Sequence, residues 1–251
     1  MPAITASVNQ GREATMEDAF RMAMVCLDDP TTEVNALPQT FLTVLPVTGA
    51  SVSTLGDFLG SQTVSATDAS SAWLDELQFD LGEGPCWDAL RLAEPVKEPD
   101  LRGRSGPERW PAFGRAVQDR EIASIFAFPL SVGNLRFGAV DLYSEARIDL
   151  DQVQIRRASA LTSAIARRVL RDSVAAIDGA EEETLSPFSR RQVHQATGIV
   201  LAQLDIDAAD ARLLLQSRAF ATGTSVMSVA ADVLAGRTVF TKDDGAIEVD
   251  S

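Results

Sequence analysis

The spacing of apolar positions changes along this chain, and each change marks an element. "TMEDAFRMAMVCLDD", residues 15–29, carries apolar side chains at helical spacing, with Thr15 placed to cap the helix. A second helix is expected over Val34–Leu45. "ASVSTLGDFLGSQTVSATD" then predicts two strands with a turn near Gly56–Ser61. "SSAWLDELQF" returns to a short helix. "EPVKEPDL" predicts an edge strand, because Pro95 and Pro99 suit no central one. "WPAFGRAVQDR" is helical, and "IASIFAFPLSVGNLRFGAVDLYSE" predicts two apolar strands folded at Gly133-Asn134. From Leu150 to Ile177 a long helix aligns Val153, Ala158, Leu161, Ile165, Val169 and Val174 on one stripe. Part of that stripe is expected to pack on the sheet and the rest to pair with a second copy, so a homodimer is expected.

Beyond "DGAEEETLSP", an acidic stretch that reads as a linker, three shorter helices follow. Ser186-Pro187 is the expected start of the first. Its inner stripe is Val193, Ala196, Val200 and Leu204, and Arg191, Gln195, Gly198 and Ala202 fall on the opposite face. Two of the outer residues are small, so another surface can approach the backbone there. Asp207 is placed to cap the second helix, whose stripe is Ala211, Leu214, Leu215 and Ala219, and Gly223 ends it. Ser225 caps the third, with Val226, Val229, Ala230 and Val233 inside and Gly236 at its end. Leu213 and Phe220 lie off the main stripe and are expected to find a contact with the third helix, or else with another subunit. The tail "TKDDGAIEVDS" is acidic and expected to be frayed. The plan is that of an α+β protein with an antiparallel sheet and an appended helical unit.

Charge narrows the partners. The formal net charge is −14, which opposes non-specific binding to nucleic acid or to anionic lipid. Residues 187–240 depart from this, with five arginines against four aspartates. Any nucleic-acid site must therefore be local. No run approaches a membrane span, and the N-terminus lacks the features of a secretory signal, so a cytoplasmic protein is expected. Two cysteines, Cys26 and Cys86, agree with a reducing compartment, while a single pairing between them stays open.

Two resemblances arise from these residues. "LGEGPCWDAL", "EPV…PDL", "WPAF" and "SIFAFPLSVGNLRFGAVDLY", in that order, look like a GAF domain of actinobacterial type. "QATGIVLAQLDIDAADARLLLQ" with "SVMSVAADVL" is similar to the ANTAR domain of transcription antitermination regulators. The resemblance implies an N-terminal GAF domain, an antiparallel sheet flanked by helices, and a C-terminal three-helix ANTAR domain. The organisation expected is a helical segment at 1–33, GAF at 34–175, linker at 176–186, ANTAR at 187–240 and tail at 241–251. It further implies a cytoplasmic transcription regulator, in which the GAF domain senses or dimerises and the ANTAR domain binds stem-loops of transcript leaders.

RNA needs cations for phosphate and hydrogen-bonding groups for open bases. Arg190, Arg191 and His194 lie within about one turn at the start of the first ANTAR helix, and Gln195, Gln216 and Arg218 can add hydrogen bonds. The plainer alternative is a set of solvated helix faces. Thr197 stands where the family commonly has lysine, Gln216 where it has arginine, and Arg218 where it is often aromatic. That leaves a second reading, a GAF-based ligand-sensing or protein-interaction module whose ANTAR domain no longer binds RNA.

The GAF domain is expected to take an unidentified small ligand, with Trp73, Cys86 and Trp87 as pocket candidates, although core packing accounts for each as well. Cys86 opens a short helix, which favours a lowered thiol pKa, and a packed side chain is the alternative. Some GAF proteins reduce free methionine sulfoxide with several cysteines, but this segment holds one. The single histidine, His194, sits outside it, which argues against haem and leaves most hydrolase schemes without a base. The cyclic-nucleotide signature of GAF domains is not apparent. No catalytic set, metal cluster or cofactor is expected, and the protein is not expected to be an enzyme.

Overall fold

A computed structural model describes residues 3–56, 58–103, 108–179, 191–243 and 246–250; for residues 3–14, 176–179, 191, 243, 246, 248 and 250 the description is of backbone alone. The chain divides into two compact units, Met1–Leu59 with Thr63–Thr184, and Leu185–Ser251 with Gly60–Gln62.

The first unit is built on a five-stranded sheet in the order β2-β1-β5-β4-β3. Its strands are β1 Gly49–Thr54, β2 Gln62–Ala66, β3 Val96–Glu98, β4 Ser124–Val132 and β5 Leu135–Ser144. The pairs β1–β5, β3–β4 and β4–β5 are antiparallel. Gly133, at φ +60°, makes the tight β4–β5 turn that the sequence signals. The helices are α1 Ala3–Asp28, α2 Gln39–Val44, α3 Ala69–Leu81, α4 Pro85–Leu92, α5 Pro111–Ala116 and α6 Gln152–Gly179.

Each face of the sheet has its own apolar layer. Ala50, Val52, Phe126, Phe128, Val140 and Leu142 pack with Phe41 of α2, Leu27 of α1, and Leu161 and Ile165 of α6. On the other face Ile125, Ala127 and Tyr143 pack with Leu74 of α3, Ala89 of α4 and Phe113 of α5. Alternation along each strand produces this split, since successive side chains point to opposite faces.

Three local expectations need correction in this unit. Thr15 does not mark the helix start, because α1 already runs from Ala3 and Thr15 lies inside it. The expected helix over Val34–Leu45 is broken at Pro38 into a 3₁₀ turn, Val34–Ala36, and α2. Proline lacks the N–H that a continuous helix would need there. On α6, Ala158, Leu161, Ile165 and Val169 are buried as expected, but Val153 and Val174 at its ends are 44% and 45% exposed. Much of the long stripe is therefore consumed inside the unit.

The second unit contains α7 Arg191–Leu204, α8 Ala208–Thr222, α9 Val226–Leu234 and a hairpin of β6 Val239–Asp243 with β7 Ala246–Asp250. Val193, Ala196, Val200 and Leu204 of α7, Ala211, Leu215 and Ala219 of α8, and Val226, Val229, Ala230 and Val233 of α9 are all buried. Asp207 caps α8 by accepting from the Asp210 N–H, and Ser225 caps α9 by accepting from the Ser228 N–H. Gly223 ends α8 at φ +66°. The expected start at Ser186-Pro187 lies outside the described residues.

Two expectations fail in this unit. The acidic tail is not frayed. Val239–Asp243 and Ala246–Asp250 pair as a hairpin, Phe240 is buried, and its N–H donates to Gln203 Oε1 at 3.2 Å. Leu213 and Phe220 do not reach the third helix either, being 59% and 76% exposed. At 100° per residue both point nearly opposite the Leu215 stripe, on which α7 and α9 pack.

Candidate functional site

The polar outer face of α7 is the first candidate. Gln192, His194, Gln195, Gly198 and Ala202 are exposed, and the helix carries no acidic residue. A Cβ built on Gly198 would meet nothing within 4 Å, so the backbone is open to approach there. Of the expected cations, Arg190 lies outside the described residues, as does the side chain of Arg191, although its backbone opens α7. His194 and Gln195 sit on adjacent parts of the exposed face. Gln216 and Arg218 are both half-buried on α8, and two residues of helix place them about 200° apart. The structure therefore brings His194 and Gln195 together but sends Gln216 and Arg218 to opposite flanks. Thr197 is turned inward, its hydroxyl donating to its own helix at Val193 O, 2.7 Å away.

In the first unit the candidates meet around Gln78 of α3. Its Oε1 accepts from the Cys86 N–H and its backbone carbonyl from Trp87 Nε1, at 2.8 and 2.7 Å. Gly84, at φ +135°, makes this possible, because a Cβ there would lie 2.6 Å from the Gln78 side chain. Cys86 is buried in the first turn of α4, and both Cys26 and Cys86 are free thiols, so the open question of their pairing closes. Trp87 lines a cleft of about 640 Å³ with Trp110, Asp88, Arg91, Arg109 and Arg136. Burial works against ionisation of Asp88, but Arg91, Arg109 and the Trp110 indole hold its carboxyl below the ordinary range. Trp73 is not among the residues lining the cleft; its ring lies under Arg120, 4.3 Å away. The three expected pocket residues thus separate into one cleft wall, one buried packing thiol and one stacked ring.

A polar seam behind them was missed. The Gln78 Nε2 donates to Asp141 Oδ2 at 2.8 Å, deep on β5. Asp75, one turn earlier on α3, accepts from the Thr63 hydroxyl of β2. Both aspartates are almost fully buried. Burial, and then the neighbouring Asp75, push the Asp141 carboxyl up to about 8, with Gln78 opposing. The hydroxyls of Ser51, Ser53 and Ser65 and the Asp141 Oδ1 are buried without a hydrogen-bond partner among the described residues. Each such group costs about 1–3 kcal/mol when left unsatisfied. The signal was present in the sequence as an aspartate in the apolar run "GAVDLY" and as serines alternating with apolar residues in "GASVST". Among the described residues, no group of three or more His, Cys, Asp or Glu side chains is placed to hold a metal ion, and no helix is long and apolar enough to cross a membrane.

Comparison with known proteins places this geometry. Residues 10–169 match the GAF domain family and residues 188–234 the ANTAR domain family. No curated protein matches the chain. Similar solved structures include the GAF domain of a phosphoenolpyruvate-protein phosphotransferase from Coxiella burnetii, at 13% identity and TM-score 0.49, covering 67% of this chain and 98% of that one. The corresponding Acinetobacter domain has 11% identity and TM-score 0.49, covering 64% and 97%. A type II free methionine-R-sulfoxide reductase from Thermoplasma acidophilum has 13% identity and TM-score 0.44, covering 58% and 96%. With its sheet, both helical layers and the larger part of its length inside the first match, and its three C-terminal helices inside the second, the chain belongs to the GAF domain family and is a GAF and ANTAR domain-containing protein.

Proposed function

We propose that the protein is a cytoplasmic, homodimeric regulator whose GAF domain senses a small molecule and whose ANTAR domain binds a stem-loop in a transcript leader to alter termination. Both are regulatory rather than catalytic domains, so the output is binding. The observation that carries the RNA reading is the outer face of α7, exposed, polar and free of acid in a chain of net charge −14. Phosphate approaches such a face without the repulsion found elsewhere on the chain, and the start of a helix favours an anion. Arg190, Arg191 and His194 are the proposed phosphate contacts, Gln195 the proposed base contact, and Gln216 and Arg218 flanking contacts that do not act together. Trp87 remains the proposed ligand contact on the open cleft. Cys86 and Trp73 are set aside because one is packed and the other stacked.

The test is binding of the full chain to a pool of transcript leaders, followed by salt titration on a bound stem-loop. Replacing Arg190 and Arg191 by alanine should flatten the log–log salt slope by about 1.4, given roughly 0.7 per phosphate contact. Equal slopes would remove these arginines from the interface. Two observations favour the alternative of a protein-binding output: Thr197 spends its hydroxyl on its own helix, and Leu213 and Phe220 stand exposed on α8. Absence of binding to every leader at low salt would select it.

A further inference from the structure

We propose that the GAF domain holds a small organic cation bearing N–H donors, of the alkylammonium or guanidinium class, between its sheet and α3. This rests on reading the domain as a sensor and names the chemistry of a site distinct from the open cleft that Trp87 lines. Ser51 stands directly across from Asp141 in the β1–β5 register. Ser51 and Ser53 alternate with Ala50 and Val52, which belong to the core on the opposite face, so both serines point toward α3. From α3, Asp75 and Gln78 descend one turn apart onto the same area, tied to Thr63 and Asp141. Ser65 lies two residues along β2 from Thr63 and shares its face. The neighbouring sheet positions are small, with Ala127 across from Asp141 and Ala139 two residues before it.

An apolar face would have served the fold better here. Instead, three serine hydroxyls and one carboxylate oxygen, each on a residue at most 4% exposed, find no hydrogen-bond partner among the described residues. These groups and the two aspartates can accept hydrogen bonds. Asp75 stands close enough to Asp141 to oppose its ionisation, and a bound cation would relieve that opposition. A cation carrying several N–H donors meets both needs, whereas an anion meets neither and a neutral amide only the first. A metal ion fits less well, because no set of three metal-ligating side chains gathers among the described residues.

The experiment is calorimetry and thermal shift on the full chain with methylguanidinium and ethylammonium, with N-methylurea as the uncharged control, acetate as the anion and magnesium as the metal. The expected result is saturable binding of at least one organic cation, little response to the other probes, and added amide-exchange protection in α3 and β1. Asp141→Asn should weaken that binding about tenfold or more, the scale of one charge-assisted hydrogen bond. Should Asp141→Asn fail to fold, the double variant Ser51→Ala, Ser53→Ala removes only hydroxyls and should weaken binding in the same direction. Saturable binding of urea, acetate or magnesium in place of the cations would overturn the proposal while leaving the domain a sensor. Cation binding unchanged in both variants would place the site elsewhere and overturn it too. No response to any probe would overturn it and remove support for the sensor reading as well.

Discussion

Asp141 concentrates the electrostatics of the first unit into one side chain. Unfolded, its carboxyl titrates near 3.8; folded, it is held up to about 8 by burial and by Asp75. Between those values the folded state keeps a proton that the unfolded chain has released. Its contribution to stability is therefore full below about pH 4, declines as pH rises through about 8, and is flat above. The steepest slope it can impose is about 1.4 kcal/mol per pH unit. Urea denaturation from pH 5 to 9 should show this decline in the wild type and a flatter profile in Asp141→Asn. An unchanged profile would mean the carboxyl is ionised in the native state. Gly198 offers a residue test in the other unit. It sits mid-helix with open space around it, so Gly198→Ala should raise stability by about 0.8–1 kcal/mol. If RNA approaches the backbone there, a larger side chain such as Gly198→Leu should weaken RNA binding while leaving the fold intact, readable by gel shift and circular dichroism.

At the scale of elements, the contact between α1 and α6 turns on Arg168. Its guanidinium is buried, pairs with Asp172 one turn along α6, and donates to the carbonyls of Asp29, Pro30 and Thr32 just beyond the end of α1. One planar fork thus donates to three carbonyls of the turn that follows α1. Arg168→Met keeps the apolar stem and removes the donors, and should destabilise the unit by about 2–4 kcal/mol. Arg168→Lys should recover only part of that, because a single ammonium cannot span the same acceptors. Chemical denaturation of the three proteins orders them; a Met variant as stable as the wild type would show that the carbonyls are satisfied by water instead.

At the scale of the whole molecule, assembly is the open quantity. The long helix was expected to lend its stripe to a dimer, but the sheet and α1 cover its middle. In the first unit the most exposed large apolar groups among the described residues lie on α1 instead, where Met22 and Val25, one turn apart, are 73% and 66% exposed beside a groove reaching Cys26 and Thr32. If the protein is a dimer, that face is its best seam. Light scattering at tens of micromolar should give twice the monomer mass, and Met22→Glu with Val25→Glu should halve it while preserving helical content. A wild-type monomer at that concentration would remove the dimer from the proposal.

Periodicity alone determined most of this architecture. The apolar runs of β4 and β5, the Gly133-Asn134 turn between them, and the 3.6-residue stripes of α6 to α9 are local patterns, and local patterns survive without knowledge of partners. The caps at Asp207 and Ser225 were legible for the same reason, since a cap is a bond between near neighbours. What tertiary structure decided are the meetings of residues far apart in the chain. Sequence spacing could not show that Gln78 reaches Asp141, 63 residues on, or that Ser51 stands across from it. Nor could it show that Phe240 would be buried at the start of a paired acidic hairpin, or that Leu213 and Phe220 would be left in solvent. Composition pointed to Trp73, Cys86 and Trp87 because aromatic and thiol groups are conspicuous in a sequence. The fold instead gathered small serines and two aspartates, whose chemistry exists only once the sheet and α3 bring them together and exclude water.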